Sequence, residues 1–195
     1  MAAMVIAHRM TAEEFIAAPE PQRGRPWNLV DGEVVVNDPT MVHGDSQAAI
    51  YSALLAWSRA EVGRGKAPWP CDVQLDERNV YVPDVLWYRE DRVPASQSPP
   101  PYPVPDLAVE VRSPSTWRYD TGRKKAVYES GGLRELWLVD TSSLSILLFR
   151  RSSPRAPGFD AALELGRSDR LTSPLLPGFE LDVGDVFPSV RDQRA

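Results

Sequence analysis

An α/β fold built on a partly parallel sheet is what this chain predicts, and three features of its residue order carry that expectation. LAVEV (107–111) and ELWLVD (135–140) are almost continuously apolar runs of strand length, as strands buried on both faces are. A stretch of helical character over 120–130, stopped by Gly131-Gly132, lies between them. Strand, helix and strand within about 35 residues is the pattern of a right-handed crossover, which makes the two strands parallel. An Asp31-Gly32 pair between WNLV (27–30) and EVVV (33–36) adds a tight antiparallel hairpin, because both residues tolerate positive φ.

The remaining elements follow in order. Thr11 with Glu14 forms a capping-box pattern, so 11–18 reads as a first helix ended by Pro19. Asp45 or Ser46 is expected to cap a second helix whose rows Ile50, Leu54, Trp57 and Tyr51, Leu55, Val62 make a wide apolar stripe, ended by Gly63 and Gly65. Residues 69–75 and 79–88 read as adjacent strands, the second carrying VPDVLWY. From Arg89 to Asp106, six prolines remove backbone donors and predict a surface loop. Leu144 to Phe149 is expected to pair with 135–140 through a hairpin over 141–143, and the remainder to form short edge elements. The whole of 1–195 is expected to be one domain, since a chain of this length buries roughly 70% of its unfolded surface.

Composition narrows the function. With 43% hydrophobic and 25% charged residues, the chain is an ordinary globular one. No apolar run approaches the ~20 residues that span a bilayer, and the start MAAMVIAHRM lacks a long apolar region or cleavage site, so no membrane partner and a cytoplasmic location are expected. One cysteine, Cys71, and two histidines exclude an internal disulfide and a Cys/His zinc site, leaving carboxylates to hold any metal. A net charge of −5 argues against non-specific coating of nucleic acid, although Arg112, Arg118, Arg123, Lys124 and Lys125 leave room for a local basic cleft. There is no Gly-x-Ser-x-Gly elbow, Ser113, Ser115 and Ser142 lie in loops without a nearby base, and Cys71 lacks a histidine partner, which argues against a nucleophilic hydrolase.

Two acids stand where burial is expected. Asp84 follows Pro83 in an apolar strand, and Glu110 lies between Val109 and Val111. A buried carboxylate is costly unless paired, so each needs an arginine, a hydrogen-bond network or a shared divalent ion.

The segments VPDV, LAVEVRSPST, DTGRKKAVYESGG and ELWLVD, in this order, resemble the Uma-two family, a branch of the PD-(D/E)XK nucleases. MTAEEF, the LVDGE turn, His43 and LPGFEL extend the likeness over nearly the whole chain. The resemblance implies a restriction-endonuclease-like mixed sheet flanked by helices, with metal-dependent hydrolysis of DNA phosphodiester bonds. It implies Asp84 and Glu110, with the Val111 backbone carbonyl, as ligands of Mg2+ or Mn2+. The catalytic lysine that usually lies two residues after the acid is here Arg112, and Lys124 matches the lysine of this branch. Asp120, Lys124 and Tyr128 share one helical face, which should bring the ammonium within about 6 Å of a carboxylate. Asn28, His43, Arg112 and Asp120 are expected to line the cleft, bordered by loops 38–44 and 89–106, with Lys125 at the surface or on a phosphate. Similar proteins read Glu-Leu where this chain has Asn28-Leu29, and an amide binds a hard cation less strongly than a carboxylate. The alternative is therefore a catalytically weakened binding module. DNA is the expected partner, and a homodimer is left open.

Overall fold

The computed structural model describes residues 9–18 and 27–187; Pro19 lies outside them. Helix α1 (Ala12–Ala17) starts as expected: the Thr11 hydroxyl accepts the Glu14 N–H, and the Glu14 carboxylate accepts the Thr11 N–H. Strands β1 (Trp27–Val30) and β2 (Glu33–Val36) form the hairpin, with Asp31 at φ 51° and Gly32 at φ 79° in the left-handed region that a two-residue turn demands.

Helix α2 (Met41–Ala60) begins earlier than Asp45 or Ser46, which both lie inside it. Thr40 is the cap, because its backbone is extended and its hydroxyl accepts the His43 N–H. The expected loop 38–44 is thus largely the first turn of a helix. Ile50, Leu54 and Trp57 are buried as predicted, but the helix ends before Val62, which stands in solvent.

The predicted strand 79–88 is two strands, β4 (Asn79–Tyr81) and β5 (Val85–Trp87), in different sheets. Pro83 has no N–H to give to a ladder, so the chain leaves one sheet at Val82 and joins the next beyond Asp84. The first sheet, with β3 (Val73–Asp76), runs β2-β1-β4-β3 and is antiparallel throughout.

The second sheet runs β5-β6-β7-β8-β9, with β6 (Leu107–Val111), β7 (Glu135–Asp140), β8 (Ser145–Arg150) and β9 (Ala161–Leu165). β6 and β7 are parallel, Leu107 facing Glu135 and Val111 facing Val139, and the other pairs are antiparallel. β8 begins one residue later than predicted, since Leu144 takes φ 55° in the turn. β10 (Arg170–Leu171) and β11 (Leu181–Asp182) form a separate small ribbon.

Between β6 and β7 the helical run α3, over 117–130, is α at Trp117–Tyr119, π at Asp120–Lys124 and α again at Lys125–Ser130. One face of the five-stranded sheet packs Val109, Trp87 and Trp137 against Ile50, Leu54 and Trp57 of α2. The opposite face packs Ala108, Leu136 and Leu138 against Val127 and Tyr128 of α3. Strand alternation puts Glu110 on the Ala108 side, facing α3. Among the described residues no helix is long and apolar enough to cross a membrane.

Candidate active site

Asp84 sits where the chain passes between sheets. The antiparallel register Val85 to Val109 and Leu86 to Ala108, continued by one residue, sets Asp84 opposite Glu110. Its Oδ2 accepts the Val111 N–H at 2.7 Å, which ties it to the end of β6. Gln47 of α2 donates to the Asp84 carbonyl at 2.8 Å, and His43 Nε2 lies 3.1 Å from Asp84 Oδ1. The His43 Nδ1 lies 3.4 Å from the Arg112 carbonyl, so both ring nitrogens face acceptors. A neutral imidazole donates from one nitrogen only, whereas an imidazolium satisfies both. Burial alone would lower the His43 pKa, but the hydrogen bond and charge of Asp84, with help from the Arg112 carbonyl and Glu110, raise it above its ordinary value.

Glu110 is held from α3. The Lys124 ammonium lies 2.7 Å from Glu110 Oε1 and 2.9 Å from Asp120 Oδ1, and the Tyr128 hydroxyl donates to the same Oε1 at 2.7 Å. The expected approach of lysine to carboxylate is thus a direct ion pair. Asp84, Glu110, Asp120, Lys124 and His43 are each no more than 5% exposed, so these charges meet in a low dielectric. The π turn gives α3 an extra residue at this point, widening it so that Asp120 and Lys124 are both buried.

Electrostatics divides the roles. Burial raises the Glu110 pKa to about 8 against the pull of Lys124, and the neighbouring charges of Asp120 and Asp84 push it in the same direction. Burial would strip the proton from Lys124, but Asp120 and Glu110 outweigh it and hold the ammonium protonated well above its usual range. Burial and the adjacent Glu110 likewise keep the Tyr128 hydroxyl protonated.

A chain of hydroxyls behind Asp120 was not singled out in the sequence. Thr116 donates to Asp120 Oδ2 at 2.9 Å and lies 2.7 Å from Ser113 Oγ, and Ser115 Oγ accepts the Asp38 N–H. The signal was the SPST that follows Arg112, whose small hydroxyl residues supply these bonds. Tyr128, legible only as packing or function, has both parts: its ring meets Tyr81 edge-on and its hydroxyl holds Glu110.

Other expected cleft residues have different tasks. Asn28 Oδ1 accepts the Val82 N–H at 2.9 Å, so its amide fixes the backbone leading into Pro83-Asp84. The Arg112 side chain pairs with Asp140 at 3.0 Å and lies over the Trp117 ring, while its carbonyl faces His43. Arg123 pairs with Asp31, Arg118 lies over Tyr119, and Lys125 lies over Phe149 and Phe159. Each of these cations is engaged within the fold, so the expected basic cleft is not a ready-made patch of unpaired charge.

The donor chemistry suits a hard divalent ion. Asp84, Glu110 and the Val111 carbonyl offer only oxygen, and Glu110 Oε2 takes no hydrogen bond from a described residue, since Lys124 and Tyr128 both engage Oε1. A carboxyl with a raised pKa in a buried acidic pair is also a place where a cation can replace a proton. Among the described residues no three His, Cys, Asp or Glu side chains are grouped as a cage, so an ion held here would take the rest of its shell from water or substrate.

A family model described as "Uma2: Putative restriction endonuclease" matches residues 12–184. No curated protein matches the chain. Among solved structures, a crystal structure described as a putative nuclease belonging to DUF820 from Anabaena variabilis is similar, with a TM-score of 0.74 and 17% identity. The likeness covers 91% of this chain and 97% of that one.

Proposed function

Since this chain belongs to the Uma2 family, we propose that it is a metal-dependent nuclease that hydrolyses DNA phosphodiester bonds at Asp84, Glu110 and Lys124. The observation that carries this reading is the buried Lys124 ammonium, ion-paired with both Glu110 and Asp120 beside the Asp84 turn. Mg2+ or Mn2+ held by Asp84, Glu110 and the Val111 carbonyl would supply Lewis-acid polarisation of the phosphate and a water of lowered pKa.

The protein's own groups do the rest. Lys124, kept protonated by Asp120, places a fixed positive charge where negative charge grows on the phosphate, and a preorganised charge in a dry site is worth far more than one in water. Tyr128 and Lys124 orient Glu110 through one oxygen, and His43 with the Val111 N–H orients Asp84. Asn28 fixes the turn that delivers Asp84.

The test is nicking of supercoiled and single-stranded DNA with Mn2+, compared with Asp84→Ala. Nicking by the parent and none by the variant supports the reading, and equal residual nicking by both removes Asp84 from the site. The amide at Asn28 favours a second reading, a weakened member that binds without cutting; DNA binding with no nicking in any divalent metal would select it.

A further inference from the structure

At the end of α2 remote from His43 lies a groove of about 310 Å³, walled by Trp69 and Tyr51 with Arg59 and Lys66 at its rim and Ser58 in its lining. Trp69 is 72% exposed, unusual for so large an apolar ring, and Tyr51 meets it edge-on with centroids 5.4 Å apart. No acid lines the groove, although the chain as a whole is acidic. Among the described residues neither Arg59 nor Lys66 carries an ion pair, in contrast to the cations around α3.

An exposed indole braced by a second ring and two unpaired cations together match one chemistry: a base to stack and phosphates to neutralise. We infer that this groove binds single-stranded nucleic acid, away from the catalytic carboxylates. From His43 to Arg59 is about 24 Å along the helix axis at 1.5 Å per residue, so the groove is a separate site on the same helix. The inference deepens the nuclease reading by naming the form of nucleic acid that the protein grips.

The experiment is fluorescence anisotropy of the full chain in EDTA with a labelled oligo(dT) of about ten nucleotides, against a blunt duplex of equal length. Tighter binding of the single strand is expected, weakened about tenfold by Trp69→Ala and largely restored by Trp69→Phe. Arg59→Glu with Lys66→Glu should weaken binding and flatten its salt dependence. Circular dichroism checks that the exposed substitutions leave the fold intact. No binding by the parent, preference for the duplex, or equal affinity in Trp69→Ala overturns the groove. Nicking by the parent is scored separately. Trp69-dependent binding without nicking sinks the nuclease reading alone, and nicking with Trp69-independent binding sinks the groove alone.

Discussion

Glu110 and Glu135 stand on adjacent parallel strands, are both buried, and both have carboxyl groups that burial pushes upward in pKa. Their surroundings differ. Glu135 Oε1 accepts from the Trp137 indole at 2.6 Å and Arg150 at 3.2 Å, and its Oε2 accepts from Ser173 at 2.8 Å. Both oxygens are bonded, and the three partners tie β7, β8 and the segment after β10 together. Glu110 has its two partners on one oxygen, and it lies near the carboxyl end of its strand, where open α/β sheets place ligands. Burial alone therefore does not set Glu110 apart from Glu135; the oxygen left over does, whereas Asp84, with both oxygens bonded, is marked by its place opposite Glu110.

The largest effect that separates the two clusters should come from their cations. Lys124→Met should lower nicking by at least about 100-fold, and it should also cost roughly 3–5 kcal/mol of stability, because it leaves Glu110 and Asp120 buried without their cation. Arg150→Met should cost stability but leave nicking per folded molecule unchanged. Denaturant melts with nicking rates normalised to folded protein would measure both, and a loss of nicking in Arg150→Met would break the distinction.

The acids themselves give a second contrast. Glu110→Gln should abolish the rise in melting temperature produced by Mn2+ and hold or raise apo-protein stability, since it removes a charge that Asp84 and Asp120 oppose. Glu135→Gln should keep the Mn2+ effect and cost about 1–3 kcal/mol through its broken bonds. Scanning calorimetry with and without metal decides it; a retained Mn2+ shift in Glu110→Gln would remove that acid from the metal site.

A third contrast is in pH. The Glu110 pKa is raised from 4.5 to about 8 on folding, so the native state holds the proton more tightly. Its contribution to stability is complete below about pH 4.5 and is lost as pH rises towards 8. The metal-free protein should lose melting temperature across that window, and Glu110→Gln should flatten the loss. Mn2+ affinity should rise with pH over the same range, as the ion displaces the proton. A Mn2+ affinity independent of pH between 5 and 8 would contradict the assignment.

The smallest effect is expected at the rim. Arg123, inside the π turn, makes a two-point bond to Asp31 at 2.6 and 2.7 Å, but both are well exposed. Arg123→Ala should cost no more than about 1 kcal/mol. A larger loss in a urea melt would mean that the hairpin turn braces α3.

Glu110 and Asp84 were legible as candidates because each is a polar residue in a place that local pattern reserves for apolar ones: Glu110 within LAVEV, Asp84 within VPDVLWY. Lys124 was legible through the resemblance to the Uma-two motifs, and helical spacing added that it shares a face with Asp120. What pattern could not reveal was the division of labour among like residues. Arg112 and Arg123 look like phosphate binders until Asp140 and Asp31, distant in sequence, come to meet them. Asn28 looks like a lost ligand until Val82, 54 residues on, proves to need an acceptor. The split of 79–88 was foreshadowed by Pro83, but assignment of the halves to two sheets depends on pairing with β1 and β6, which local propensity does not contain.

The π turn makes the site sensitive to the length of the gene as well as to its letters. The first part of α3 is fixed by Thr116 and Asp120, and the last by Val127 and Tyr128 packed on β6 and β7. Loss of the single codon for Gly122, whose surroundings are open, would let the helix close into a regular spiral with little to obstruct it. Each residue of a regular helix turns by about 100° and the π turn absorbs one residue in its wider loop, so the two halves would stay in phase, but Lys124 would stand three residues after Asp120 instead of four, without the widened turn that buries both. A one-codon deletion would thus be gentle to the backbone and would fall on the Lys124 pairing, the feature that carries the proposed function.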